Sequence, residues 1–418
     1  MKPVYLTIAG LFSSLVFSQQ FNVNADLRAR LENRNGYATL KPYNQKAASF
    51  ISQRTRIIFD YNYNHIKLVA SPQNVRTWGD VLTNSKSDTG INFHEAYGEI
   101  KLSEKLSFKL GRQEIAYDDH RIFGSIDWTM QAKSHDALLF KITPTTKQII
   151  HLGIAYNANK ESNFKENYIP SQYKSLQYAW YNGTFNNLNL SLLILNNGMP
   201  YWINGEEKID YSQTFGPRFI FKKDHLSIDG ATYFQTGKIN TNHIMSSYFS
   251  ANLNYKFIQS FLAGLGFEYL SGKNQDDTSS DIKSFNPLYG TNHKFNGYMD
   301  YFYVGNHLNN VGLTDLYLNF QYEKDKFSVR FSPHYFLSSA NIYQLGEKKD
   351  PYLGTEIDFT ASYKLFENVT IDGGFSQMFA TKSMEILKAG NKNNGNNWFF
   401  LAVKINPNLF NSTSKNYP

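Results

Sequence analysis

Phe21-Asn22-Val23-Asn24-Ala25-Asp26-Leu27-Arg28-Ala29-Arg30-Leu31-Glu32 alternates without a break. In an extended chain, successive side chains point to opposite sides. Phe21, Val23, Ala25, Leu27, Ala29 and Leu31 therefore share one face, and Asn22, Asn24, Asp26, Arg28, Arg30 and Glu32 share the other. A soluble sandwich uses such a strand once or twice. Here the pattern recurs along the chain.

Phe261, Ala263, Leu265, Phe267 and Tyr269 repeat it with small or polar partners. So do Leu316, Leu318, Phe320 and Tyr322; Ile357, Phe359, Ala361, Tyr363 and Leu365; and Phe399, Leu401, Val403 and Ile405. The periodicity predicts 18 strands, at 20–34, 50–62, 65–77, 91–103, 105–117, 134–143, 146–158, 173–185, 188–197, 210–222, 225–237, 243–257, 260–271, 312–324, 326–338, 354–365, 368–380 and 396–406. Short links fall at 62–65, 103–105, 143–146, 186–188, 222–225, 257–260, 324–326 and 365–368. Long ones fall at 35–49, 78–90, 118–133, 159–172, 198–209, 238–242, 272–311, 339–353 and 381–395, so the two kinds alternate and both termini lie at the short-link end.

An even strand count with loops sorted by length is the mark of a transmembrane antiparallel up-and-down β-barrel, with short turns on the periplasmic side and long loops outside. The expected class is all-β. Each strand with its link has about 22 residues, ample for the roughly 9–11 that a tilted strand needs to cross. A 22-stranded barrel with a plug domain does not fit, because the first strand begins almost at the predicted signal-peptide cleavage site.

Composition agrees. The chain has 33 Phe and 29 Tyr, yet its mean hydropathy is −0.46. That pairing suits a wall with lipid on one side and water on the other. Met1-Lys2 and the apolar run Val4–Phe17 read as a secretory signal peptide cut after Ser18. A helical anchor would need about 20 apolar residues. The barrel is then assigned to 19–410, with 411–418 as a C-terminal extension. The absence of cysteine removes disulfides, thiolate metal sites and Cys nucleophiles. A formal net charge of +7, one unit of it from Lys2, is mild. It points to an anionic solute or to outer-membrane lipopolysaccharide; a secreted chain meets no nucleic acid.

At this strand number the interior holds water, and inward side chains set selectivity. The alternation turns Arg28, Arg30, Arg54, Arg56 and Asp60 inward, then Glu95, Glu99, Lys101, Lys109, Arg218, Arg330, Glu356, Asp358 and Lys364. On the lipid side each Arg or Lys would cost about 2–4 kcal/mol at the midplane. Two readings stay open: Arg–carboxylate ladders that brace the wall, or a track of guanidinium forks for the carboxylates of a passing solute.

A second cluster runs Gly111-Arg112-Gln113-Glu114 through Tyr117, Asp118, Asp119, His120 and Arg121 to Gly124, Asp127 and Trp128. Strict alternation sends Arg112 towards lipid; a bulge at Gly111 or an early strand end would turn it inward. This cluster resembles the hallmark segment of the alginate export porins, which are 18-stranded outer-membrane barrels. Asn286-Pro287-Leu288-Tyr289 followed by His293-Lys294-Phe295-Asn296-Gly297-Tyr298-Met299-Asp300 resembles the loop before that family's last five strands. The resemblance implies a passive channel for an anionic polysaccharide or oligosaccharide. It also implies that Arg112 and Arg121 guide the solute while Glu114 and Asp127 hold their guanidinium groups. To these the inward pattern adds Arg54, Arg56, Arg218 and Arg330.

Two alternatives remain: a general or nutrient-uptake porin for small polar solutes, and a barrel enzyme or structural barrel. Ten histidines make a hydrolase easy to imagine, but no Gly-x-Ser-x-Gly elbow, His-Glu-x-x-His pair or phosphate loop occurs. No catalytic residue and no cofactor are expected. The 272–311 link is long enough to fold into the pore as a gate or to lie outside. Its Asp276, Asp277 and Asp281 lack calcium-loop spacing. The oligomeric state stays open; a homotrimer is compatible.

Overall fold

The structure, a computed structural model, describes residues 19–88, 90–170, 172–307 and 310–412. The predicted signal peptide lies outside them. The chain forms β1 (Gln20–Asn35), β2 (Ala48–Tyr63), β3 (Ile66–Thr77), β4 (Ile91–Ser103), β5 (Leu106–Gln113), β6 (His135–Thr145), β7 (Gln148–Tyr156), β8 (Ser175–Phe185) and β9 (Leu188–Ile203). It continues with β10 (Glu206–Lys223), β11 (Leu226–Ile239), β12 (Asn242–Ile258), β13 (Phe261–Leu270), β14 (Leu313–Lys324) and β15 (Phe327–Leu337). A two-residue-strand hairpin follows, β16 (Tyr343–Gln344) and β17 (Glu347–Lys348), and then β18 (Tyr352–Phe366), β19 (Val369–Ala380), β20 (Asn396–Ile405) and β21 (Asn408–Asn411).

Consecutive wall strands pair antiparallel, and β1 closes the circle by pairing with both β2 and β20. With β16 and β17 set aside and β21 continuing β20 along β1, the wall has eighteen strands. Closure is what lets so polar a chain live in lipid: each backbone N–H and C=O finds a partner in the next strand, and no edge is left. Phe215, Phe219, Leu265, Phe359 and Leu401 stay exposed on the outer face, where they meet acyl chains. Arg28, Arg30, Arg54 and Arg56 are buried on the inner face. The two-residue turns at the short-link end use Asn64, Asn186, Asp224 and Asp325 at positive φ. Asn and Asp tolerate that conformation best among non-glycine residues.

The structure corrects the predicted wall in four places. The 198–209 and 238–242 links are two-residue turns, Asn204–Gly205 and Asn240–Thr241, at the ends of long hairpins. Asn204 and Gly205 both have positive φ, at 52° and 81°. That fits a type I′ hairpin turn, which Asn-Gly favours. The β5 strand ends at Gln113, not 117, because the chain turns into the lumen there and buries Ile115. At the other end the wall outlasts residue 410: Asn411 pairs with Asn22, and the Ser412 N–H donates to the Phe21 carbonyl at 3.0 Å.

Candidate functional site: a lumen narrowed by two inward loops

Two long links leave the rim and meet inside the barrel. Loop A spans 114–134 between β5 and β6, and loop B spans 271–312 between β13 and β14. Phe123 and Tyr289 form a parallel bridge. Around it, the Gly124 N–H donates to the Tyr289 carbonyl at 3.1 Å, that of Tyr289 to the Ile122 carbonyl at 3.0 Å, and that of Thr291 to the His120 carbonyl at 2.9 Å. The seam needs glycine on both sides. A Cβ on Gly124 would lie 2.6 Å from the Thr291 backbone nitrogen, and one on Gly290 would lie 2.2 Å from the Arg121 carbonyl oxygen. We therefore expect Gly124→Val to part the loops and raise open-channel current noise in bilayer recordings, with barrel content unchanged by circular dichroism. Recordings as quiet as wild type would refute it.

Loop A is tied to the wall by the charges that the alternation turned inward. Arg28 Nη2 donates to Asp127 Oδ2 at 2.9 Å, and its Nη1 donates to the Asp127 carbonyl at 2.6 Å. Arg54 Nη1 donates to Asp127 Oδ1 at 2.7 Å and also pairs with Asp26. Burial raises the pKa of the Asp127 carboxyl, but Arg28 and Arg54 outweigh it and hold it below the usual range. Asp119 meets Arg218 at 3.2 Å, and Asp118 accepts from Ser191 and, at 3.2 Å, from Trp180. Loop B is held likewise. Asn296 donates to Glu268 at 2.8 Å, and the Met299 N–H donates to Glu356 at 2.8 Å.

Where the loops meet β1, aromatic rings divide the passage. The Arg30 guanidinium carbon lies 3.8 Å from the Trp128 ring centroid. Trp128 stacks on His293 at 4.1 Å and 15°, and His293 faces Tyr298 at 5.5 Å. Trp398 and Phe400 of β20 stand edge-on to Trp128 at 5.5 and 5.1 Å. His293 Nδ1 lies 2.9 Å from Asp300 Oδ1, which fixes the ring. Arg30, Trp128 and His293 line two cavities at once. One, of about 610 Å³, opens towards the long loops past Arg34 and Tyr303. The other, of about 520 Å³, opens towards the short turns past Ser362 and Lys404.

The residues expected from the sequence separate into groups. Asp127 does hold guanidinium groups, but those of Arg28 and Arg54. Arg112 is not in the lumen: the register runs regularly through Gly111, so no bulge turns it. It stays on the outer face one residue from the strand end and pairs with Asp136 at 3.0 Å. Glu114 accordingly serves another group, lying 2.7 Å from His94 Nε2. Arg121 is wholly buried, 3.0 Å from Glu268 and under the Phe295 ring, so it anchors loop A behind the passage. Arg56 faces inward and donates to Gln73 at 2.7 Å. Arg218 is paired with Asp119 and Asp229. Arg330 is inward and exposed to the lumen, with Gln321 at 3.4 Å. Asp277 pairs with Lys283 at 2.8 Å, and no metal-ligand cluster occurs among the described residues.

Sequence reasoning did not assign site roles to Trp128, His293, Lys294 or Trp398. The first three lie in the quoted motif segments, and Trp398 sits on the inward face of a predicted strand; no local pattern announces that they meet.

Among solved structures, OccAB4 of Acinetobacter baumannii aligns over 94% of this chain and 99% of its own, with a TM-score of 0.63 and 13% identity. OccAB1 of the same organism gives 0.63 at 12% identity over 93% and 97%, and OccD3 (OpdP) of Pseudomonas aeruginosa gives 0.62 at 11% over 93% and 92%. At such identity the likeness is one of fold. Comparison with curated proteins finds no match. Residues 19–380 match the family model described as alginate export. A closed eighteen-stranded wall, a lumen narrowed by loops and this match agree: the chain belongs to the alginate export family and is a channel of the Gram-negative outer membrane.

Proposed function

We propose that the channel passes an anionic oligosaccharide or polysaccharide, and that its preference for anions comes from the few lumen cations that no carboxylate neutralises. Most interior guanidinium groups are satisfied: Arg28 and Arg54 by Asp127, Arg30 by Glu32, Arg121 by Glu268, Arg218 by Asp119 and Asp229. Such pairs brace the wall and cancel at a distance. Arg56, Lys294 and Arg330 face the interior and make no ion pair among the described residues. Those three uncompensated cations are the observation on which the reading rests. In the low-dielectric confines of a pore, uncompensated charge attracts counter-charged solutes and rejects others.

Reversal potentials under a salt gradient, and current block by oligogalacturonate, test it. Anion selectivity and block are expected in wild type. Cation selectivity without block would overturn the reading.

A second reading has its own support. The aromatic partition divides the passage into compartments of about 610 and 520 Å³, a scale suited to small polar solutes. Liposome swelling with sugars of increasing length separates the two readings.

A further inference from the structure

Beside the 520 Å³ cavity, between loop B and strands β12 to β15, lies a smaller one of about 180 Å³. Lys294 and Tyr298 line both. Arg330 reaches it from β15, and Asn254 and Asn319 supply amide groups from β12 and β14. Tyr298 and Tyr317 lend aromatic rings, and the Lys294 ammonium lies 5.0 Å from the Phe295 ring centroid.

The charges around this cavity do not cancel. Glu268 is neutralised by Arg121 at 3.0 Å, and His334 is held 3.0 Å from Asp315. Lys294 and Arg330, by contrast, make no ion pair among the described residues. In a lumen where most guanidinium groups have a carboxylate, two free cations on one small cavity form a local concentration of positive charge. Planar guanidinium plus ammonium suits a carboxylate, amides suit ring hydroxyls, and an aromatic face suits the apolar side of a pyranose.

We infer that the Lys294–Arg330 cavity is a binding subsite for one carboxylated sugar unit, on the short-turn side of the aromatic partition. This rests on the anionic-saccharide reading and assigns its selectivity to two residues instead of a diffuse arginine track. A unit seated there lies beside the column Trp128–His293–Tyr298, so the subsite adjoins the aromatic partition.

The test is concentration-dependent block of single-channel current by oligogalacturonate and by monomeric galacturonate, with the carboxyl-reduced neutral oligomer as a control. Lys294→Gln and Arg330→Gln are each expected to weaken block by the acidic probes about tenfold. Lys404→Gln, which removes a lumen cation already paired with Asp372, should change it less than about twofold. Both test residues face water in the lumen, and heat-modifiable gel mobility checks that each variant folds. Equal weakening by all three substitutions would mean a diffuse field and overturn the subsite, as would block unchanged in Lys294→Gln and Arg330→Gln. Block by the monomer alone, still sensitive to the two substitutions, would keep the subsite and overturn the oligosaccharide reading. If neither probe blocks the wild type, both are overturned.

Discussion

Trp128→Ala is expected to raise single-channel conductance at least about twofold, because it removes the ring that stands between the two lumen cavities. The indole lies between the Arg30 guanidinium and the His293 ring and meets Trp398 and Phe400 with its edges. None of these neighbours is placed to fill its volume without leaving its own partner. His293 is fixed by Asp300, and the Trp398 indole nitrogen donates to Glu32 at 3.1 Å. Loop A itself stays in place. Its tether to Arg30 runs through the Trp128 backbone carbonyl at 2.6 Å, and Asp127 still holds Arg28 and Arg54. The size limit for neutral sugars in liposome swelling should rise along with conductance. Trp202→Ala, at the exposed tip of the β9–β10 hairpin, is the control and should leave both unchanged. If Trp128→Ala conducts like wild type, the passage runs elsewhere.

Arg121→Met has the largest expected effect on stability. Arg121 and Glu268 are both buried, and their 3.0 Å contact couples loop A to β13. Removing the guanidinium leaves Glu268 with hydrogen bonds from Tyr248 at 3.0 Å and Asn296 at 2.8 Å, but without a counter-charge. Breaking a buried pair in this way costs about 3–5 kcal/mol. The barrel keeps its ladders, so the loss should appear as release of the loops. Trypsin is expected to leave Lys294 uncut in wild type and to cut there in the variant. The cleavage rate of native protein in detergent measures this. Adding Glu268→Gln removes the orphaned charge and should restore most of the protection, since the two side chains act as a unit. If Arg121→Met resists trypsin as wild type does, the pair does not hold the loop.

The same residue shows how far a local pattern reaches. Arg121 and Arg112 both stand out in the motif segment, and neither lines the passage: one is sealed behind Phe295 and the other stands on the outer face beside Asp136. A motif reports that a residue type recurs at a spacing. It does not report which side of a loop faces water once that loop has folded back. Arg28, Arg30 and Arg54 were placed correctly because they sit on regular strands, where parity and the cost of charge in lipid leave one choice. Their partners are another matter. Asp127 is 99 residues from Arg28, and Glu268 is 147 from Arg121.

Taken alone, the order of residues determined the wall. Period-two alternation and the penalty for charge in lipid are both local or additive, so strand number and inward faces were legible. It even held the Asn204–Gly205 turn signal, although the polar stretch around it reads as loop. Only the tertiary structure decided the interior. Loops A and B lie more than a hundred residues apart, and their meeting depends on Gly124 packing against Thr291 and Gly290 against Arg121 inside a closed cylinder. That meeting sets which cations keep a carboxylate and which face the lumen free. It also sets where Trp128 and His293 stand across the path. Closure of the sheet brings these groups together, and no periodicity along the chain encodes a contact that exists only after closure.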